Sequence, residues 1–269
     1  MTLIINAIHR HSSLVATDTQ LTNGVGGITS SDAPKSIKLQ SLDGDVMVSF
    51  TGFAEIANEF TTDWLIKQAT SFNSPKHTFV ELVTEFKRHL SIEFSSYFPG
   101  HVPPLVITFA GWTDASSRHP SIYNLSNCEN DDCTYRAPDY IFSLNRHSPK
   151  PNGTLVVVRG ALPATFSADF RKSKKRLEKL IAQNSNKLDA AARRVMAEMI
   201  TIASNHARGH TINDQVMASI LSRRNGSIDY VHIPEKTDYA LPGFVNENLS
   251  VRGLKVTGDF VEGGTTKVG

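Results

Sequence analysis

Two apolar, β-branched-rich runs open the chain, LIINAI (Leu3–Ile8) and SLVATD (13–18), split by the polar HRHS. Short apolar runs bounded by polar turns predict buried strands, and two joined this closely predict a hairpin. NGVGGITSSDAP, rich in Gly and Ser, reads as a loop. KSIKLQ then alternates polar and apolar, a DG pair turns the chain, and VMVSFTG returns, which predicts a second hairpin. Four strands in the first fifty residues predict an antiparallel sheet.

The period then changes. Ile56, Phe60 and Trp64 fall four apart, which predicts a helix over 55–69. Phe79, Leu82, Val83, Phe86, Leu90 and Phe94 mark the face of a second helix, stopped by FPGHVPP. Strand patterns return in LVITFAGW, SIYNLSN, YIFSLN and TLVVVRGA, interrupted by the polar stretches 127–139 and RHSPKPNG. Phe166, Phe170, Leu177, Leu180 and Ile181 predict a third helix, and Leu188, Ala192, Val195, Met199 and Ala203 a fourth. ARGHTIND ends it, and QVMASIL and SIDYVHI form a last hairpin around RNG. After DYALPGF no period is evident, so 246–269 read as a mobile C-terminal tail behind one domain, 2–245. Sheets that bury a face and helices that bury a stripe fit a layered α+β fold. Two packed antiparallel sheets with a helix pair on each outside, a four-layer αββα sandwich, cover every apolar face.

Composition narrows the classes. The 269 residues are 40% hydrophobic and 20% charged, as in an ordinary soluble domain. The formal net charge of +2 gives no argument for a nucleic-acid partner. No run approaches the ~20 apolar residues of a membrane span. No basic segment followed by an apolar core marks a signal peptide, so the expected compartment is the cytoplasm. Cys128 and Cys133 bracket ENDD, but no second Cys/His pair lies near enough to complete a zinc site. They read as free thiols in a polar loop. RKSKKR (171–176) reads as the solvated face of a helix, at a contact between subunits. His9 and His11 flank Arg10 in a hairpin turn with no third metal ligand indicated. No cofactor is expected.

The chemistry-bearing residues fall in an order with a precedent. Thr2 opens the first strand and Asp18 ends the second, in ATDTQLTNG. Lys35 opens the next hairpin in DAPKSIKL, and Gly52 follows the fourth strand in SFTGFAEIA. Over residues 2–70 this resembles the proteasome β-subunit family of N-terminal-nucleophile hydrolases, in particular its bacterial proteasome-like branch. The resemblance implies that removal of Met1 exposes Thr2 as nucleophile, with its own α-amine as base. It implies that Lys35 favours deprotonation of the hydroxyl, that Asp18 holds Lys35, and that the Gly52 backbone N–H donates to the oxyanion. It implies that backbone at Thr22 and Gly52 pairs with an extended peptide, and that Phe50 walls an apolar side-chain pocket. The partners it implies are further copies of the chain in a ring or double ring, a peptide or unfolded-protein substrate, and an ATP-dependent unfoldase.

The chain also departs from that pattern. The Gly-Ser turn expected before the third helix reads VVRGALPAT, with Gly160 or Ala161 in place of serine. ARGHTINDQ stands where an Asp-x-x-Ser-Gly-Gly loop is expected, leaving His210, Thr211 or Asp214 as substitutes. Three readings stay open: a threonine peptidase, a catalytically silent subunit acting as scaffold, and an amidase for a small amide.

Overall fold

The structure is a computed structural model that describes residues 3–22, 28–30, 33–113, 119–132, 134–149, 153–160, 167–206, 212–234, 238–241, 243–245, 250–257 and 260–266. Among these, the first hairpin is β1 (Leu3–Ile8) and β2 (Ser12–Asp18). A small ribbon, β3 (Leu21–Thr22) and β4 (Ile28–Ser30), follows inside the Gly/Ser loop, and then the second hairpin, β5 (Ser36–Ser41) and β6 (Gly44–Gly52). Next come a ribbon of β7 (Glu55–Ile56) and β8 (Glu59–Phe60), helices α1 (Thr61–Ser71) and α2 (Phe79–Tyr97), and strands β9 (Leu105–Thr113), β10 (His119–Ser126), β11 (Ser143–His147) and β12 (Leu155–Gly160). Helices α3 (Ala168–Ala182) and α4 (Asp189–His206) precede β13 (Val216–Ser222) and β14 (Ile228–Ile233). Four further strands complete the described chain: β15 (Asp238–Leu241), β16 (Phe244–Val245), β17 (Ser250–Thr257) and β18 (Phe260–Thr266).

One sheet has the order β12-β1-β2-β13-β14. The other runs β11-β10-β9-β6-β5-β16-β17-β15, with β18 also paired to β17. Its pairs are antiparallel except β16 with β5.

The alternation of side chains along β1 explains why both of its faces are apolar apart from Asn6. Leu3, Ile5 and Ala7 pack outward with Leu14 and Ala16 against Phe170, Leu177, Val195 and Met199 of α3 and α4. Ile4 and Ile8 point the other way and meet Met47, Ala110, Trp112 and Ile122 of the second sheet. A strand buried on both faces favours apolar residues at nearly every position, and the one polar residue of β1, buried Asn6, accepts from the Ser49 hydroxyl at 3.4 Å. The second sheet is covered by α1 and α2, where Trp64, Leu65, Phe86 and Leu90 pack on Val48, Ile107 and Phe109. The fold is therefore the αββα sandwich expected from the order of elements.

One edge of the sandwich is pinned by charge. Arg159 of β12 reaches across to His147 of β11 at 3.1 Å and to Glu129 at 3.4 Å. Burial, then the guanidinium, holds the His147 imidazole below its ordinary range. Burial pushes the Glu129 carboxyl up, and Arg159 pulls it back.

Two sequence expectations change. The helix expected from residue 55 begins at Thr61. Ala57 and Asn58 adopt positive φ, 54° and 63°, so 55–60 turn back as a two-stranded ribbon with Glu55 opposite Phe60. Paired αL residues make a tight hairpin turn, which overrides a helical spacing of only two residues. In the C-terminal region where no period was legible, β17 and β18 form a hairpin on the second sheet.

Candidate active site

Asp18 is the last residue of β2, opposite Val216 of β13. Lys35 immediately precedes β5. The backbone between them is tied at several points. The Ala33 N–H donates to the Thr19 carbonyl at 2.9 Å, the Thr19 N–H to Gln215 O at 3.1 Å, and the Phe50 N–H to Lys35 O at 3.2 Å. The Thr62 hydroxyl of α1 donates to Pro34 O at 2.7 Å. These bonds set the Lys35 side chain beside the end of β2.

Lys35 Nζ donates to Asp18 Oδ2 at 2.9 Å, and both side chains are 0% exposed. The other carboxylate oxygen, Oδ1, accepts the Leu3 N–H at 3.0 Å. Asp18 thus links the lysine to the first backbone amide after Thr2. Burial pushes the Asp18 carboxyl up; Lys35 and the Leu3 N–H pull it back. Burial also pulls the Lys35 ammonium down, against the attraction of Asp18. Taking two charges out of water costs several kcal/mol per ion, so packing alone gives no reason to keep such a pair. A buried lysine with a lowered pKa is suited to exchanging a proton or stabilising a developing anion.

Gly52 ends β6 opposite Leu105, two residues beyond Phe50. Its φ is +116°, and a Cβ there would lie 2.0 Å from Pro104 O. Both facts demand glycine. Gly52→Ala is expected to cost at least ~1–3 kcal/mol from backbone strain alone, with the clash adding to it. Urea unfolding checks this; a variant as stable as wild type would contradict the geometry.

Phe50 lies in the core under α1 and α2, 2% exposed, with Val48, Ala54 and Ile56 among its cluster. Thr22 sits in the ribbon opposite Ile28. Thr2, Ala161, His210 and Thr211 lie outside the described residues. Gly160 is opposite Leu3, which puts the start of the Gly-Ala-Leu-Pro segment at the tip of β1. Asp214 is exposed and accepts from Gln215 Nε2 at 3.5 Å.

Asn213 was not singled out from sequence. Its Oδ1 accepts the Thr19 N–H at 3.3 Å and its Nδ2 donates to Thr19 Oγ1 at 3.4 Å. The amide therefore holds the residue that follows Asp18. No local sequence signal marks it, because its partner lies 194 residues away.

Cys128 is a free thiol but is buried, not in an exposed loop as expected, and burial pushes its pKa up; Cys133 lies outside the described residues. Among the described residues no group of three or more His, Cys, Asp or Glu could hold a metal. None of their helices is long and apolar enough to cross a membrane.

No family model and no curated protein matches the chain. Solved structures do. The chain is similar to a Gly-1 mutant of Anbu from Hyphomicrobium sp. strain MC1, with 12% identity over 87% of each chain and a TM-score of 0.56. It is also similar to Anbu, an ancestral beta-subunit, from Yersinia bercovieri, with 10% identity over 81% of this chain and 80% of that one and a TM-score of 0.54. At these identities the likeness concerns the fold alone: the chain shares the αββα sandwich of these structures.

Proposed function

We propose that the chain is a threonine-dependent peptidase or amidase that uses Thr2 as nucleophile and works inside a homo-oligomer. The observation that carries this reading is the fully buried Lys35–Asp18 pair at 2.9 Å, bonded through Asp18 to the amide of Leu3. A costly charge pair anchored next to the second residue is what a nucleophile at the chain's start requires.

The steps follow from ordinary acid–base chemistry. Removal of Met1 frees the α-amine of Thr2, whose unperturbed pKa of about 8 makes it a base at neutral pH. The hydroxyl attacks the scissile carbonyl carbon and its proton passes to the amine. The Lys35 ammonium offsets the charge on the threonine oxygen, and Asp18 keeps that ammonium in place. The backbone N–H of Gly52 donates to the oxyanion on the former carbonyl. Collapse expels the substrate amine with the stored proton and leaves an ester on Thr2, which water hydrolyses. An extended peptide would lie along the backbone of Thr22 and Gly52 as an added strand, with Phe50 at the base of an apolar pocket. Peptide or unfolded protein is the substrate class, and an ATP-dependent unfoldase would be needed only for folded substrates.

A second reading is a silent, scaffolding subunit. It is favoured by Ala161 and by the absence of a serine from ARGHTINDQ. Hydrolysis of fluorogenic peptides with an apolar residue before the cut separates the two readings. The catalytic reading predicts turnover, and no turnover or labelling across a broad panel would favour the scaffold.

Assembly is a further expected outcome. A threonine site open to its surroundings would degrade proteins indiscriminately, and enclosure in an oligomer prevents that. Size-exclusion chromatography with light scattering should give a mass several times the 29.6 kDa of one chain. A clean monomer at micromolar concentration would contradict the proposal.

A further inference from the structure

A cavity lies at the other end of the sandwich from Asp18 and Lys35. It measures about 660 Å³ and is lined by Arg10 and His11 between β1 and β2, Asp43 to Asp45 between β5 and β6, Arg223 and Arg224 after β13, Trp112 of β9, and Asn186 between α3 and α4. Strand β1 runs from Leu3, bonded to Asp18, to Ile8, just before this cavity. Six residues of strand separate the two regions by about 20 Å.

Its charges are unevenly committed. The two carboxylates are engaged within the fold. Asp43 accepts from the Ser41 hydroxyl at 2.8 Å and from the Phe79 N–H, at the first turn of α2, at 2.7 Å. Asp45 is paired with Lys38 at 3.1 Å. Arg223 lies over the Trp112 ring, 5.8 Å from its centre. The Arg10 and Arg224 guanidinium groups are exposed and have no ion-pair partner among the described residues. The floor is rigid: Trp112 Nε1 donates to His9 O at 3.1 Å, and the buried His9 imidazole meets Asp189 of α4 at 2.8 Å. A cavity of small-ligand size, floored by a fixed indole and lined by three guanidinium groups against two carboxylates, one of them ion-paired with Lys38, suits an anion. Guanidinium forks match the oxygens of a phosphate group better than a point charge would.

We propose that this cavity binds a phosphate-bearing small anion through Arg10, Arg224 and Arg223, remote from and independent of the threonine site.

The chain has two tryptophans, Trp64 and Trp112, so Trp64→Phe leaves the cavity's indole as the emitter. Inorganic pyrophosphate added to that variant should change its fluorescence saturably, by shifting Arg223 off or onto the ring. Calorimetry on the wild-type protein measures the same binding without any substitution in the core. Arg10→Ala/Arg224→Ala should weaken binding by about tenfold or more, since charged hydrogen bonds are lost, while the melting temperature stays at the wild-type value. Citrate at matched charge and ionic strength should bind far more weakly. Absence of saturable heat at millimolar pyrophosphate, binding by the double variant within twofold of wild type, or equal binding of citrate would each overturn the proposal.

Discussion

Lys35→Met should destabilise the protein by about 3–5 kcal/mol, because it leaves the Asp18 carboxylate buried without its cation. Both side chains are completely buried, so no water relieves the loss. Asp18 would have to take a proton on folding, and burial already pushes its pKa above 3.8. The sign of the pH dependence follows. A group that binds its proton more tightly in the folded state stabilises that state at low pH and loses the contribution as pH rises through the raised value. The deficit of Lys35→Met should therefore be largest at neutral pH and above, and should shrink on acidification. Adding Asp18→Asn removes the orphaned charge while keeping an acceptor for the Leu3 N–H. That double variant should recover much of the stability and none of the activity. Urea unfolding at fixed protein concentration, from pH 5 to 8, checks both statements. A single variant as stable as wild type at pH 8 would show Lys35 to be an ordinary lysine and would remove the observation on which the proposed function rests.

Thr2→Ala should abolish peptide hydrolysis while leaving assembly intact. Only a hydroxyl and a methyl are lost, and the backbone is unchanged. Thr2→Ser retains the oxygen nucleophile and should keep part of the rate. Loss of the nucleophile itself removes the covalent route, so the expected loss is orders of magnitude rather than the ~10²–10³-fold of a missing oxyanion donor. If Thr2→Ala turned over substrate at the wild-type rate, the nucleophile would lie elsewhere, and the fold would stand unaffected.

The strands of the core were legible because burial on both faces writes itself as a mostly apolar, Ile-rich run, as in LIINAI. The helix pairs were legible where the apolar spacing persisted, as from Phe79 to Phe94. It failed at 55–60, where Ile56 and Phe60 match a helix by accident and two positive-φ residues decide the backbone. It also failed at β17. The register shifts between Arg252 and Lys255, so the alternation of Val251 with Leu254 and Val256 changes phase and reads as aperiodic. Nothing in composition or period distinguishes Asp18 and Lys35 from solvated charges. Their order along the chain and the family resemblance brought them forward, and the structure shows them paired and fully buried. Asn213 stayed hidden because its partner, Thr19, lies 194 residues away.

The mass of the intact protein, before and after treatment with a threonine-reactive β-lactone or epoxyketone, tests the central claim most directly. The account predicts a chain that begins at Thr2, lighter than the translated sequence by one methionine, and a single stoichiometric adduct that is lost in Thr2→Ala. A wild-type chain isolated from its native host with Met1 still attached, and with no adduct formed, would contradict it.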